Sequence, residues 1–135
     1  YQGQNRRKRF RRMKQQTDMK NIIKLEEAAM FGLSVYVLYS LQAEWWWYLV
    51  LLLGPDISML GYLAGNKVGA ACYNLFHHKG VAVAVFVAGL LIPHLLMQVI
   101  GIVLFGHSSM DRLFGYGLKT DEGFKYTHLG IIGKK

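Results

Sequence analysis

Between Ala28 and Met110 the only charged side chains are Glu44, Asp56, Lys67 and Lys79. A stretch so long and so poor in charge cannot present an ordinary water-facing surface, so it reads as a series of lipid-embedded helices rather than a soluble core. Four apolar segments follow from it. They run from about Leu25 to Leu41, from Trp45 to Ala64, from the Gly65-Asn66-Lys67 turn to about Ile92, and from His94 to about Phe114. Each approaches the roughly 20 residues that a helix rising 1.5 Å per residue needs to cross a bilayer. The expected fold is an all-α membrane protein of four transmembrane helices in an up-down bundle, divided into a basic tail (1–24), a transmembrane domain (25–114) and a C-terminal tail (115–135).

Charge orients this bundle. Nine of the 16 basic residues precede Leu25, seven of them between Arg6 and Lys14, and the outer turns carry Glu44 but no Lys or Arg. Positive residues collect on the cytoplasmic side, so both termini are expected inside, with Lys119, Lys125, Lys134 and Lys135 agreeing at the C-terminal end. Trp45, Trp46, Trp47 and Tyr48 read as an interfacial aromatic belt on the opposite face. The basic run contacts anionic lipid on this reading, and no nucleic-acid fold accompanies it. Membrane lipids are therefore the expected partners, a homo-oligomer stays open, and a bacterial inner membrane is the expected location.

Smaller features are bounded in the same way. No small-residue cleavage site follows the first apolar segment, which argues against a secretory signal, and residues 1–12 precede a natural start at Met13. Cys72 is alone and reads as a packing residue. Gly61, Gly65 and Gly69 have the small-residue spacing that lets helices approach closely. The tail after Gly115 has the composition to fold back on the inner face.

Ionisable groups within such segments are costly and face a bundle interior, a partner or a water-filled cavity. Asp56, directly after Pro55, is therefore the first candidate functional residue. Counted from the inner helix ends, Asp56 lies roughly 12 Å deep, Asn74 and His77 roughly 10–15 Å, His107 roughly 10 Å and Asp111 roughly 5 Å. Glu26 or Glu27 stands near the inner mouth of the first helix. Asn74 and His77 are spaced i, i+3 and His107 and Asp111 i, i+4, so each pair shares a helix face. Gln98 falls on the opposite side from His107 and is expected to bond another helix or subunit.

Two imidazoles and two carboxylates converging in a low-dielectric bundle suit zinc, iron or manganese, and helical-bundle metal sites are built from facing helices in this way. Asp56, His77, His107 and Asp111 are the expected metal ligands, with Glu26 and Asn74 as adjoining catalytic candidates. Arg112, Tyr116 and His128 are candidates for support or gating from the inner side. A structural network of hydrogen-bonded ion pairs and a proton or ion path are the competing readings of the same residues. His78, beside a suspected helix break at His77-His78-Lys79-Gly80, and His94, beside Pro93, are the weaker candidates.

Together Pro55-Asp56-Ile57-Ser58-Met59-Leu60-Gly61-Tyr62, Tyr73-Asn74-Leu75-Phe76-His77, His107 with Asp111-Arg112, and Gly115-Tyr116-Gly117-Leu118-Lys119 form specific strings. Gly123-Phe124-Lys125 and Thr127-His128-Leu129-Gly130 extend them. On these strings the chain resembles the domain of unknown function 4260 family of small bacterial membrane proteins, over roughly Leu25 to Gly133. The resemblance implies a four-helix membrane protein, places the family's polar residues on those selected above, and favours Glu26 over Glu27. It implies no activity, and the His78-Lys79-Gly80 link departs from it. By architecture the chain is also similar to small membrane-bound metal-dependent hydrolases. The functional expectation is an intramembrane metal centre facing the cytoplasm, with hydrolysis of an ester or phosphoester of a lipid-like substrate as its chemistry. A proton- or ion-coupled transporter and a non-catalytic membrane subunit are the alternatives.

Overall fold

A computed structural model describes residues 1–133, so Lys134 and Lys135 of the charge argument lie outside the described residues. The chain is helical to its core, in the order α1 (Gln2–Ser40), α2 (Trp46–Leu53), a 3₁₀ segment (Gly54–Ala64), α3 (Asn66–His77), α4 (Lys79–Leu91) and α5 (Leu95–Leu113). A small antiparallel hairpin, β1 (Tyr126–Thr127) with β2 (Gly130–Ile131), closes the C-terminal end.

The first apolar segment is the last part of a longer helix. Residues from Gln2 onward continue in one helix through the basic run to Ser40, with no break between tail and apolar part. A tight turn follows, in which Gln42 adopts φ 54° and Ala43 N–H donates to the Leu38 carbonyl.

The second segment changes its winding at the only proline within it. Pro55 has no N–H to give the carbonyl of Leu51, four residues earlier, so α2 ends at Leu53 and the chain tightens into the 3₁₀ segment. Asp56 sits in the first turn of that segment. Gly65, at φ 114°, then reverses the chain into α3, and the 3₁₀ segment and α3 lie face to face. Gly69 permits this approach: a Cβ there would stand 2.3 Å from the Tyr62 ring.

The third segment breaks at the suspected link. His78 is extended, and α3 and α4 meet at a 50° bend. Its imidazole Nδ1 accepts the Val81 N–H and so caps α4, as His94 Nδ1 accepts Met97 N–H and caps α5. Both histidines that looked weaker as ligands therefore serve helix starts.

Helix α5 is the axis of the molecule, meeting α1, α2, α3 and α4. The buried apolar core is Leu38, Leu51, Val99, Ile102 and Val103, contributed by α1, α2 and α5. Gly106 brings α5 against α1, since a Cβ there would lie 2.8 Å from Ser34 Cβ. Gln98 donates its Nε2 to the Gly89 carbonyl on α4, away from the polar end of α5.

Among the described residues, one helical run, Trp46–Ala64, is long and apolar enough to cross a membrane; the bent pair α3 and α4 adds a second if counted as one span. Only 17% of the Trp46–Ala64 span is buried inside the molecule.

Candidate metal centre

Four side chains from three elements meet at one point. Asp56 comes from the start of the 3₁₀ segment, His77 from the last turn of α3, and His107 and Asp111 from successive turns of α5. One ligand atom of each lies within 4.8 Å of the other three. His77 and His107 are 1% and 0% exposed, while the Asp56 side chain is 34% exposed, so the cluster opens to the outside on the Asp56 side.

The four nitrogen-to-oxygen edges of this group are short and similar, and all its edges fall within 4.8 Å. Asp56 Oδ1 lies 3.3 Å from His77 Nε2 and 3.1 Å from His107 Nε2; Asp111 Oδ2 lies 3.2 Å and 3.6 Å from the same two nitrogens. Ligand atoms placed tetrahedrally at about 2.0–2.2 Å around an ion stand about 3.3–3.6 Å from one another. The measured edges match that spacing, and the mixed nitrogen and oxygen set suits a borderline cation.

The outer partners define which ring nitrogens are free. His77 Nδ1 is 2.8 Å from the Tyr73 carbonyl one turn earlier, and His107 Nδ1 is 2.8 Å from the Leu51 carbonyl of α2. A carbonyl only accepts, so each Nδ1 carries a proton and donates it, and each Nε2 is left to face the carboxylates. The Leu51 carbonyl is available because its helical partner would be the N–H that Pro55 lacks. Proline therefore does two things at once: it turns Asp56 into the cluster and supplies the acceptor that orients His107.

Two further contacts hold the group. The Tyr73 hydroxyl donates to Asp111 Oδ2 at 3.0 Å, and its ring stacks on His77 with centroids 3.8 Å apart. Tyr73 is 4% exposed and belongs to the site although the sequence did not single it out; its position one turn before His77, on the same face of α3, was the available signal.

The remaining expected residues go elsewhere. Asn74 holds the tail: its Nδ2 donates to the Lys119 carbonyl at 2.8 Å and its Oδ1 accepts the Lys119 N–H at 2.6 Å. Glu26 is exposed, whereas Glu27, one residue and about 100° further round α1, turns inward and forms an ion pair with Lys79. The preference for Glu26 is thus not met by the packing of α1. Arg112 Nη1 reaches the Ser108 carbonyl on its own helix, and Tyr116 is 44% exposed. His128 Nδ1 accepts the Leu118 N–H at 2.8 Å, which makes it a brace within the tail rather than a lid over the cluster.

That tail lies against the cluster's helices. Lys119, 5% exposed, stands 4.0 Å from the Phe124 ring centroid and 4.8 Å from that of Tyr73, and Phe124 meets Tyr62 and Tyr73 edge-on. Burial pushes the Lys119 ammonium below the usual lysine range, while the negative charges of Asp111 and Asp56 act in the opposite direction.

Comparison with known proteins adds the family. Residues 20–132 match the model of the family described as Domain of unknown function (DUF4260), and the chain belongs to that family. No curated protein and no solved structure matches. The part of the chain that matches includes all four clustered residues together with Tyr73, Asn74 and Lys119.

Proposed function

We propose, for this member of a family without an assigned activity, that Asp56, His77, His107 and Asp111 hold one divalent metal ion in a multi-pass membrane protein. One observation carries the reading. Four ligand atoms converge within 4.8 Å, with nitrogen-to-oxygen edges of 3.1–3.6 Å, while both Nδ1 protons are already committed to backbone carbonyls. Lone pairs so arranged repel one another unless a cation lies among them. Two carboxylates balance the charge of a divalent ion, and zinc, iron and manganese all accept this donor set.

The chemistry best matched to the centre is hydrolysis of an ester or phosphoester of a lipid-like substrate. A divalent ion held here would supply Lewis acidity, and would lower the pKa of a water taken at a fifth position beyond the four side-chain donors. The chain's own groups have distinct parts. Tyr73 fixes Asp111 by its hydroxyl, and the two carbonyl-anchored imidazoles are held in orientation. Asp56 Oδ2 makes no hydrogen bond among the described residues and the Asp56 side chain is the most exposed of the four, so this oxygen is the one available to accept a proton from an entering water.

The membrane part of the reading rests on the outward face of the helices. Leu53, Ile57, Leu60, Leu63, Leu91 and Ile92 are each more than half exposed, which a water-facing surface does not tolerate in such density. Four crossings, with both termini in the cytoplasm of a bacterial inner membrane, account for that surface and for the basic start of α1.

A second reading is favoured by the same distances. If both imidazoles are protonated, each Nε2 donates to a carboxylate and the cluster becomes a neutral ion-pair network, either structural or part of a proton path. Elemental analysis of the detergent-purified chain separates the two. About one equivalent of transition metal is expected in the wild-type chain and little in Asp111→Ala; metal-free wild-type protein that cannot be loaded with zinc, iron or manganese would overturn the metal reading.

A further inference from the structure

The tail carries a cation that the cluster's own ligands do not use. Lys119 is 95% buried by its 5% exposure, yet no carboxylate among the described residues lies within 4.0 Å of its Nζ and no hydrogen bond is made by it. Buried lysines are ordinarily paired. Its neighbours are aromatic faces, Tyr73 and Phe124, and the Tyr73 hydroxyl is in turn bonded to Asp111, so a single ring separates the ammonium from a proposed metal ligand.

A second unused donor belongs to the same aromatic group. The Tyr62 hydroxyl is buried and has no hydrogen-bond partner among the described residues, and the Tyr62 ring meets Phe124 edge-on at 5.6 Å. The phenol is out of water without an acceptor, and the ammonium, on a residue only 5% exposed, has no carboxylate or hydrogen-bond acceptor beside it among the described residues. They become an asset when an anion brings the acceptors.

The position of Lys119 is enforced rather than incidental. Asn74, one turn from the cluster on α3, grips both the N–H and the carbonyl of Lys119, and an antiparallel bridge to Thr127 holds it from the hairpin side. His128 secures the preceding Leu118. Three separate contacts on two consecutive residues set this one side chain beside the metal centre.

We infer that Lys119, with the Tyr62 hydroxyl, forms an anion subsite beside the centre that takes a phosphate group of the substrate or product. This assignment rests on the metal reading given above and narrows the substrate from esters at large to phosphoesters. The ammonium neutralises one phosphate oxygen while the phenol donates to another, which is the recognition a tetrahedral dianion needs. The phosphate can be free or the headgroup of an amphiphile. An apolar groove of about 180 Å³ is lined by Pro55 and Phe76, the residues before Asp56 and His77, and has the character to take an acyl chain.

The test uses the full chain in detergent, loaded with zinc, and calorimetric titration with inorganic phosphate. Lys119→Gln is expected to weaken phosphate binding by about 10- to 100-fold, as the loss of a charged hydrogen-bond partner does, with zinc affinity unchanged and Lys119→Arg retaining most of the binding. Tyr62→Phe, which keeps the ring in place, is expected to weaken it about 5-fold. Zinc binding with no phosphate binding, or with phosphate binding indifferent to both variants, overturns the anion subsite alone. Failure to bind zinc overturns the metal reading and this assignment with it. Replacing inorganic phosphate by micelles of short-chain phosphatidic acid distinguishes the sources: tighter binding of the lipid, still sensitive to Lys119→Gln, identifies a headgroup, and equal binding identifies free phosphate.

Discussion

The two prolines of this chain, Pro55 and Pro93, make the same local defect with different results. Each lacks the N–H that a helix would give to the carbonyl four residues earlier, Leu51 in one case and Gly89 in the other. Each freed carbonyl is taken by a polar side chain of α5: His107 Nδ1 lies 2.8 Å from Leu51 O, and Gln98 Nε2 lies 3.0 Å from Gly89 O. At the Gly89 end the matter stops there, because His94 N–H also fills the gap and the amide of Gln98 is paired with an α4 carbonyl. At the Leu51 end the imidazole has a second nitrogen, and that nitrogen faces Asp56 and Asp111. Repairing a helix defect and orienting a proposed metal ligand are one interaction at His107 and only a repair at Gln98.

The largest difference between the two ends falls at His107. His107→Gln makes the two ends of α5 chemically alike: the amide still donates to Leu51 O but offers no imidazole nitrogen. Metal affinity is expected to fall by more than the roughly 10–100-fold that loss of an outer partner costs, while thermal stability of the metal-free protein in detergent changes by about 1 kcal/mol or less. A metal-free stability loss as large as that of His107→Ala, which leaves Leu51 O unpaired beside a cavity at a cost of about 3 kcal/mol, would show that the repair is not what His107 supplies.

Pro55→Ala is the next test. It restores an N–H that competes for Leu51 O, loosening His107 without removing a ligand, and should lower zinc affinity by about 10-fold. Pro93→Ala, the matched change at the other end, should leave zinc affinity unchanged by the same competition assay. Equal effects of the two substitutions would end the distinction.

The smallest expected effect is at Gln98. Gln98→Leu removes one donor from a carbonyl that His94 N–H still satisfies, so about 1 kcal/mol of stability is expected to be lost, with metal content unaltered in the same preparation. A loss of metal in this variant would mean that the α4–α5 contact transmits to the cluster.

Much of the cluster was legible without coordinates. Asp56, His77, His107 and Asp111 are polar residues in or at the ends of apolar segments, and their depth and helical phase brought them to a common level. The break after His77 was legible for a similar reason, since an ammonium at Lys79 sits poorly inside a continuous apolar helix. Glu26 against Glu27 was not, because one residue turns a side chain by about 100° and only the tertiary arrangement decides which carboxylate meets Lys79. Asn74, an adjoining catalytic candidate by its depth, bonds the Lys119 backbone with both ends of its amide.

The sequence alone therefore determined which residues are too polar for their surroundings, which helices carry them, and where proline must free a carbonyl. These follow from hydropathy and covalent geometry, which act locally. Tertiary structure alone decided that Leu51 O meets His107, that the Tyr73 hydroxyl secures Asp111, and that Asn74 holds Lys119, forty-five positions further along the chain, beside the cluster. Such pairings join groups whose separation along the chain says nothing about their separation in space, and only the packing of α5 against its neighbours makes them near.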